Sequence, residues 1–181
     1  MEAFWAKGYE ATSMADLCNC TGLHKGSLYQ AFGDKRALFL AVLDRYIAHA
    51  SDTFEPLAAV DGRDALDAIG ALLVGAVGMA CPRVGPGGCM AVNTRVELGP
   101  HDETVRDRIE GHFAALRAVI TDALRRGQAA GVVRADRAPV AMAQVLEVAL
   151  IGLTTTGRAG EPVDVEGLVG ILLDGLRPQA R

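Results

Sequence analysis

The amino-acid sequence predicts an all-α fold. Half of the 181 residues are hydrophobic while only 5% are aromatic. Apolar residues recur at spacings of three and four over long stretches, which is the period of a helix with one buried face. A chain of this length buries a substantial core and accommodates one or two domains.

Residues 12–38 indicate two short helices joined by a glycine turn. Ser13 is a favourable N-cap, because its hydroxyl can accept a hydrogen bond from an amide of the first turn. Gly22 has the position of a residue that ends a helix, with Leu23 turning inward behind it. The apolar stripe between cap and glycine consists of Met14, Leu17, Cys18 and Thr21.

The second short helix has one apolar and one polar side. Leu28 and Phe32 lie one turn apart on the side expected to face inward. Gly33 ends this helix and Asp34 caps the next. The other side carries Lys25, Ser27, Tyr29 and Gln30. A turn of this kind, with hydrogen-bonding groups on the second helix, suits insertion into the major groove of DNA.

This segment resembles the DNA-binding domain of the TetR family of bacterial transcriptional regulators. The matching positions are Gly8-Tyr9, Thr12-Ser13, Gly22-Leu23, the run from Lys25 to Tyr29, Phe32, Lys35 and Leu38. The expected DNA contacts are Thr12, Ser13, Tyr29 and Lys35 on the backbone, with Lys25, Ser27 and Gln30 nearest the bases. The family's first helix begins well before the Gly-Tyr pair, so we expect this helix to be incomplete here.

The charge distribution favours a localised cationic face. Net charge is −4, but the only lysines, Lys7, Lys25 and Lys35, all lie near the N-terminus. Met1 is followed by Glu2 rather than by a basic and apolar leader. The longest uncharged run, 68–82, is too short to span a bilayer. We therefore expect a cytoplasmic protein that does not enter a membrane.

Turn signals divide the chain into two predicted domains. Pro56 and the Asp61-Gly62 pair follow a predicted helix at 35–54. We predict a helix-turn-helix DNA-binding domain at 1–48 and a helical effector-binding and dimerisation domain at 49–181. Further helices are predicted at 63–80, 89–98, 102–130, 139–155 and 163–176.

The predicted helix at 139–155 is apolar nearly all round, so it must be covered on both sides. The TetR resemblance implies that this helix and the last one pair with their copies in a second subunit. The expected assembly is a homodimer on a palindromic operator, whose two half-sites match a two-fold protein. The alternative for this helix is the centre of a monomeric bundle.

A second informative segment surrounds two cysteines. Cys81 and Cys89 flank a Gly/Pro-rich loop, and Cys89 begins a predicted helix, where backbone amides and the helix dipole favour a thiolate. The segment from Cys89 to Asn93 resembles the sixth helix of a TetR subgroup that includes repressors of N-ethylmaleimide reductase. The resemblance implies that electrophiles or oxidants are sensed at Cys89, with Cys81 as a second cysteine. The alternative is a small residue packed behind glycines.

Other chemistry is weakly indicated. His112 is a candidate to face an effector pocket, or else a satisfied structural histidine. The four histidines lack metal-ligand spacing, and no phosphate loop, dinucleotide fingerprint or nucleophile with its base is present. We expect no metal, cofactor or enzymatic activity. The sequence predicts a repressor released from its operator by a small molecule or electrophile; the alternative is a helical protein-interaction module that does not bind DNA.

Overall fold

The computed structural model describes residues 1–80, 87–158 and 163–179, and this part of the chain is helical without strands. The helices are α1 (Glu2–Lys7), α2 (Met14–Thr21), α3 (Lys25–Phe32), α4 (Lys35–Phe54), α5 (Ala65–Ala80), α6 (Met90–Glu97), α7 (Glu103–Ala129), α8 (Pro139–Arg158) and α9 (Val165–Asp174). Short 3-10 turns, Glu55–Ala59 and Gly62–Asp64, lie between α4 and α5. The all-α prediction is confirmed.

The N-terminal module, by which we mean residues 1–48 with α1 to α3 and the first part of α4, has the predicted helix-turn-helix geometry. Ser13 caps α2 in a reciprocal capping box with Asp16, whose carboxylate accepts from the Ser13 amide at 2.8 Å. Gly22 ends α2 in the left-handed region, with φ 68°. Two side chains differ from expectation: Leu23 and Phe32, both predicted to face inward, are 48% and 39% exposed. Leu28 alone anchors α3 to the interior.

Helix α4 runs without interruption from the module into the C-terminal bundle. Asp34 caps it as predicted, accepting from the Ala37 amide at 2.7 Å. The proposed boundary at residue 48 falls inside this helix, so the division into 1–48 and 49–181 stays a prediction. Aromatic contacts attach α1 to α4, since the Phe4 ring lies 5.2 Å from that of Phe39. This contact packs α1 against α4.

The bundle packs around α7, the longest helix. The apolar stripe of α7 is buried throughout: Val105, Ile109, Phe113, Leu116, Ile120 and Leu124. Helix α8 packs against α7 and α5, and α9 packs against α5. An ion pair between Arg117 and Glu147, 2.7 Å long, lies between α7 and α8, and Glu147 is only 8% exposed.

Among the described residues one segment, Pro139–Thr156 of α8, is long and apolar enough to cross a membrane by length and composition. This segment is not an uncharged run, because Glu147 interrupts it. A core helix of a water-soluble bundle meets the same criterion, and 33% of this segment is buried inside the protein. Its outward side chains include Val140, Val145 and Val148. This helix therefore does not by itself indicate a membrane protein.

Candidate DNA-binding surface and effector cavity

Helix α3 presents its predicted polar side to solvent. Lys25, Ser27, Tyr29 and Gln30 are all exposed. The Lys25 ammonium lies 5.6 Å from the centre of the Tyr29 ring, a separation that allows a weak cation–π attraction. The predicted recognition side chains therefore share one accessible face.

Of the two DNA contacts expected at the start of α2, Ser13 is exposed to solvent and Thr12 is buried. Ser13 is exposed, although its hydroxyl and amide are engaged with Asp16. The structure corrects the expectation for Thr12, which is fully buried. Its hydroxyl donates to the Gly8 carbonyl at 2.5 Å, so this side chain braces the turn after α1 rather than facing a phosphate.

The lysine ammonium groups of the module differ in their partners. Lys7 pairs with Asp16 at 2.6 Å, and this bond, together with those from Ser13, lowers the pKa of the Asp16 carboxyl. The Lys35 ammonium lies over the Tyr9 ring at 4.4 Å and 3.4 Å from the Glu10 carbonyl. Among the described residues neither Lys25 nor Lys35 forms an ion pair, and Lys25 has no hydrogen-bond acceptor within reach either.

Formal charges in residues 1–48 balance, with five basic and five acidic side chains. The predicted cationic face is thus local rather than a property of the whole module. Affinity for DNA then depends on a few placed cations and on hydrogen bonds from α3.

A cavity of about 460 Å³ lies where the module meets the bundle. This volume falls in the range of small-molecule sites. The wall comes from α1, α4, α5, α7 and α8 and from the start of α6. Its lining includes Trp5, Tyr46, Phe54, Leu72, Ala76, Met79, Cys89, Val92, His112, Phe113, Leu116, Leu150 and Thr154. An occupant would therefore touch helices of both parts of the chain.

Cys89 is the N-cap of α6 and reaches the cavity wall. Its Sγ lies 3.3 Å from the Tyr46 hydroxyl of α4. Burial, and next the electrostatic interaction with the neighbouring Cys89 side chain, raise the pKa of Tyr46. Tyr46 therefore keeps its proton and can donate it to sulfur. Trp5 packs edge-on against the Tyr46 ring at 5.3 Å and donates to the Gly88 carbonyl at 2.8 Å.

His112 also lines the cavity and is only 8% exposed. Its ring packs between Phe54 and Phe113, with centroids 5.8 and 5.3 Å away. Burial lowers the pKa of His112, so the neutral imidazole is favoured. Among the described residues Nδ1 has no hydrogen-bond partner.

The other predicted effector residues are placed differently. Asn93 lies one turn after Cys89 on α6 but does not line the cavity, and its buried Nδ2 has no partner in the described chain. Cys81 lies outside the described residues. Within those residues, no cluster of His, Cys, Asp or Glu could hold a metal ion.

Ionic contacts join the bundle to the module beside the cavity. Glu97, the last residue of α6, accepts hydrogen bonds from the Tyr9 and Glu10 amides. Arg36 of α4 forms a two-pronged pair with Asp102, the N-cap of α7, at 2.8 and 3.1 Å. Burial of Asp102 opposes ionisation, but bonds from Arg36 and from the first turn of α7 outweigh it and lower the pKa.

The fold and its exposed recognition helix define a helix-turn-helix regulator with a helical effector domain. Two family models match: "Bacterial regulatory proteins, tetR family" at residues 1–42 and "Tetracyclin repressor-like, C-terminal domain" at residues 65–164. The chain belongs to the TetR family.

Known relatives agree with this membership. The HTH-type transcriptional repressor ComR of Escherichia coli K12 is 27% identical over 164 residues, covering 91% of this chain and 78% of ComR. The TetR family regulator CifR, a cysteine mutant crystallised with a 26-base-pair operator, is 28% identical, with TM-score 0.80 and coverage of 96% of this chain and 91% of CifR. Reduced E. coli NemR shares the fold, with TM-score 0.79 at 20% identity over 98% of this chain and 94% of NemR.

Proposed function

We propose that this chain is a homodimeric transcriptional repressor that binds a palindromic operator and leaves it when the cavity is occupied. The observation that carries the proposal is the position of the cavity, whose wall includes α1 and α4 of the DNA-binding part. A ligand there has direct contact with the elements that orient α3. This satisfies the requirement that two sites share one movable element.

Operator contact is assigned to the exposed side of α3. Lys25, Ser27 and Gln30 supply donors and acceptors for base edges, while Tyr29 and Ser13 suit backbone phosphates. Lys35 reaches a phosphate by exchanging its contact with the Glu10 carbonyl. Operator DNA is cytoplasmic in bacteria, so the protein acts there as a regulator rather than an enzyme.

The dimer interface is assigned to α8 and α9. On α8, Val145 and Val148 are 57% and 69% exposed, and on α9 Ile171 is 70% exposed. Gly152 and Gly170 on the same helices have open space where a Cβ would point, which allows close approach of a second helix pair. A face of this kind, exposed in one subunit, is covered in a symmetric pair.

The effector is assigned as an uncharged, largely apolar molecule. The described lining contains no lysine or arginine that could neutralise an anion. Neutral His112 offers a hydrogen bond, and its unpartnered Nδ1 is best left without a proton, which places the proton on Nε2 as a donor. An effector with a carbonyl oxygen fits this donor.

Cys89, in the wall of the same cavity, can react with an electrophilic effector. Its thiolate adds to the electron-poor carbon of an α,β-unsaturated carbonyl, forming a C–S bond, and the resulting carbanion takes a proton from water. The adduct fills the cavity beside Tyr46. This extends the effector class to apolar electrophiles without requiring a cofactor.

DNA binding is tested by selection from a random-sequence duplex library, followed by titration of the selected duplex at several salt concentrations. The expected outcome is a palindrome bound with a steep salt dependence. A Lys25→Ala/Gln30→Ala double variant should lose the selected sequence, while an Arg177→Ala control, far along the chain at an exposed site, should retain it. Failure of the wild-type chain to enrich any duplex would favour the protein-interaction alternative.

A further inference from the structure

Glu97, at the C-terminal end of α6, accepts hydrogen bonds from the backbone of the N-terminal module. Glu97 Oε2 accepts from the Tyr9 amide at 3.0 Å, and Oε1 accepts from the Glu10 amide at 2.8 Å. One carboxylate thus binds two successive amides that are 87 and 88 residues away in sequence. Hydrogen bonds to an ionised acceptor are stronger than those between neutral groups.

Two properties of Gly8 allow the Glu97 carboxylate to bind these amides. Its φ of +82° is a conformation that other residues rarely adopt. A Cβ at this position would also lie 2.7 Å from Glu97 Oε2. The turn can approach the carboxylate closely only because residue 8 lacks a side chain.

The turn that contains Gly8, Tyr9 and Glu10 is connected to the recognition helix α3 by short contacts. The buried Thr12 hydroxyl holds the Gly8 carbonyl at 2.5 Å, and Ser13 begins α2 directly afterwards. Helix α2 packs against α3, which carries the exposed polar side. Short contacts therefore connect the residues that Glu97 binds to α3.

The opposite end of α6 lies at the cavity. Cys89, its N-cap, is part of the cavity wall, and Val92, one turn further, lines the same space. The single helix α6 therefore extends from the cavity wall at Cys89 to the contact that Glu97 makes with the N-terminal module.

We propose that Glu97 is a positioning residue for operator binding: it holds the N-terminal module in the orientation that reads DNA. The proposal rests on the operator-binding function proposed above. It adds the specific contact through which the bundle sets the orientation of α3.

The sign of a charge substitution separates this role from simple electrostatics. Glu97 repels DNA phosphates, so its neutralisation would by charge alone tighten DNA binding. Loss of the hydrogen bonds to the Tyr9 and Glu10 amides would instead weaken DNA binding. Glu97→Gln loses one of them, because a side-chain amide has only one acceptor oxygen for the two N–H donors. Glu97→Asp keeps the charge but is one methylene shorter and loses reach.

The experiment compares wild type, Glu97→Gln, Glu97→Asp and the control Asp107→Asn in the full chain, using the duplex selected by the wild type. Asp107 is an exposed carboxylate on α7 with no ion-pair partner among the described residues. Fluorescence anisotropy gives Kd at several salt concentrations. Hydrogen exchange of the free proteins follows the Tyr9 and Glu10 amides.

The expected result is operator binding about tenfold weaker for both Glu97 variants, with an unchanged salt slope because no phosphate contact is lost. Both variants should exchange the two amides faster, while Asp107→Asn should match the wild type in exchange and bind DNA equally or slightly more tightly. Glu97→Asp carries the test alone should Glu97→Gln fail to fold. Wild-type affinity in Glu97→Asp, or tighter binding by folded Glu97→Gln, would overturn the proposal. A wild-type chain that selects no duplex would instead overturn the operator function itself.

Discussion

The Tyr46 hydroxyl of α4 lies 3.3 Å from the Cys89 thiol at the start of α6. This contact joins α4, which begins in the DNA-binding part, to α6, whose last residue, Glu97, binds the Tyr9 and Glu10 amides. Since Tyr46 retains its proton, its O–H can stabilise a thiolate on Cys89. Modification of the sulfur removes this bond and places new atoms between the two helices.

The first prediction concerns thiol reactivity. Cys89 is half-buried at an apolar cavity, whereas Cys20 is exposed. At limiting reagent, N-ethylmaleimide should label Cys89 in preference to Cys18, and the ratio of Cys89 to Cys20 labelling should be higher with the maleimide than with the anionic reagent iodoacetate. Tyr46→Phe should slow Cys89 labelling severalfold and leave Cys20 unchanged. Peptide mass spectrometry measures each site; a Cys89 rate no faster than that of Cys18 would make Cys89 a packing residue only.

The second prediction is a pH dependence of stability from His112. Its folded pKa is below the ordinary 6.5, so the unfolded chain binds more protons between the two values. Stability from the neutral ring is therefore complete above about pH 6.5 and declines as the pH falls towards the folded pKa. Thermal unfolding between pH 7.5 and 5.5 should show this decline in wild type and a smaller one in His112→Phe. The exposed His101→Phe control should behave like wild type, and an unchanged decline in His112→Phe would contradict the assignment.

The third prediction places the dimer interface on α8. Val148→Glu should give a monomer, because two symmetry-related carboxylates would be buried at a cost of several kcal/mol. Val96→Glu is the matched control, since Val96 is 75% exposed but lies on α6. Sedimentation velocity distinguishes the outcomes; a dimeric Val148→Glu variant, or a monomeric wild type, would refute the interface.

The fourth prediction separates the lysines of the module. Lys25 has a free charge on the recognition side, while that of Lys7 is paired with Asp16. Lys25→Ala should therefore flatten the slope of log K against log salt by about one, whereas Lys7→Ala should change the slope little. Anisotropy titrations of the selected duplex at several salt concentrations give both slopes. Equal slopes for Lys25→Ala and wild type would remove Lys25 from the DNA interface.

Local sequence signals predicted the helices well. Ser13, Gly22 and Asp34 act at the positions that their capping and turn chemistry predicts, since these interactions involve neighbours within four residues. The helical period also placed Val105 and Ile109 of α7 in the core. Such signals are contained in short stretches of sequence and do not depend on the rest of the fold.

Contacts between distant segments were not predictable in the same way. Thr12 looks like a polar residue at a helix start, yet the Gly8 carbonyl makes it a buried brace. Leu150 lies on the helix that was predicted to form the dimer interface, yet it lines the cavity. An apolar helix does not show from its sequence which side meets which neighbour. The residues around Glu97 in the sequence give no sign of its partners, which are amides that lie far away in the chain.

The most direct test of the central claim, that the cavity controls operator binding, is an anisotropy titration of the selected duplex before and after N-ethylmaleimide treatment, for wild type and Cys89→Ser. The treatment should raise the Kd of the wild type at least about tenfold and change that of Cys89→Ser much less. An equal loss in both proteins would assign the effect to one of the other three cysteines, Cys18, Cys20 or Cys81. An unchanged wild-type Kd with Cys89 fully labelled would contradict control of DNA binding by the cavity.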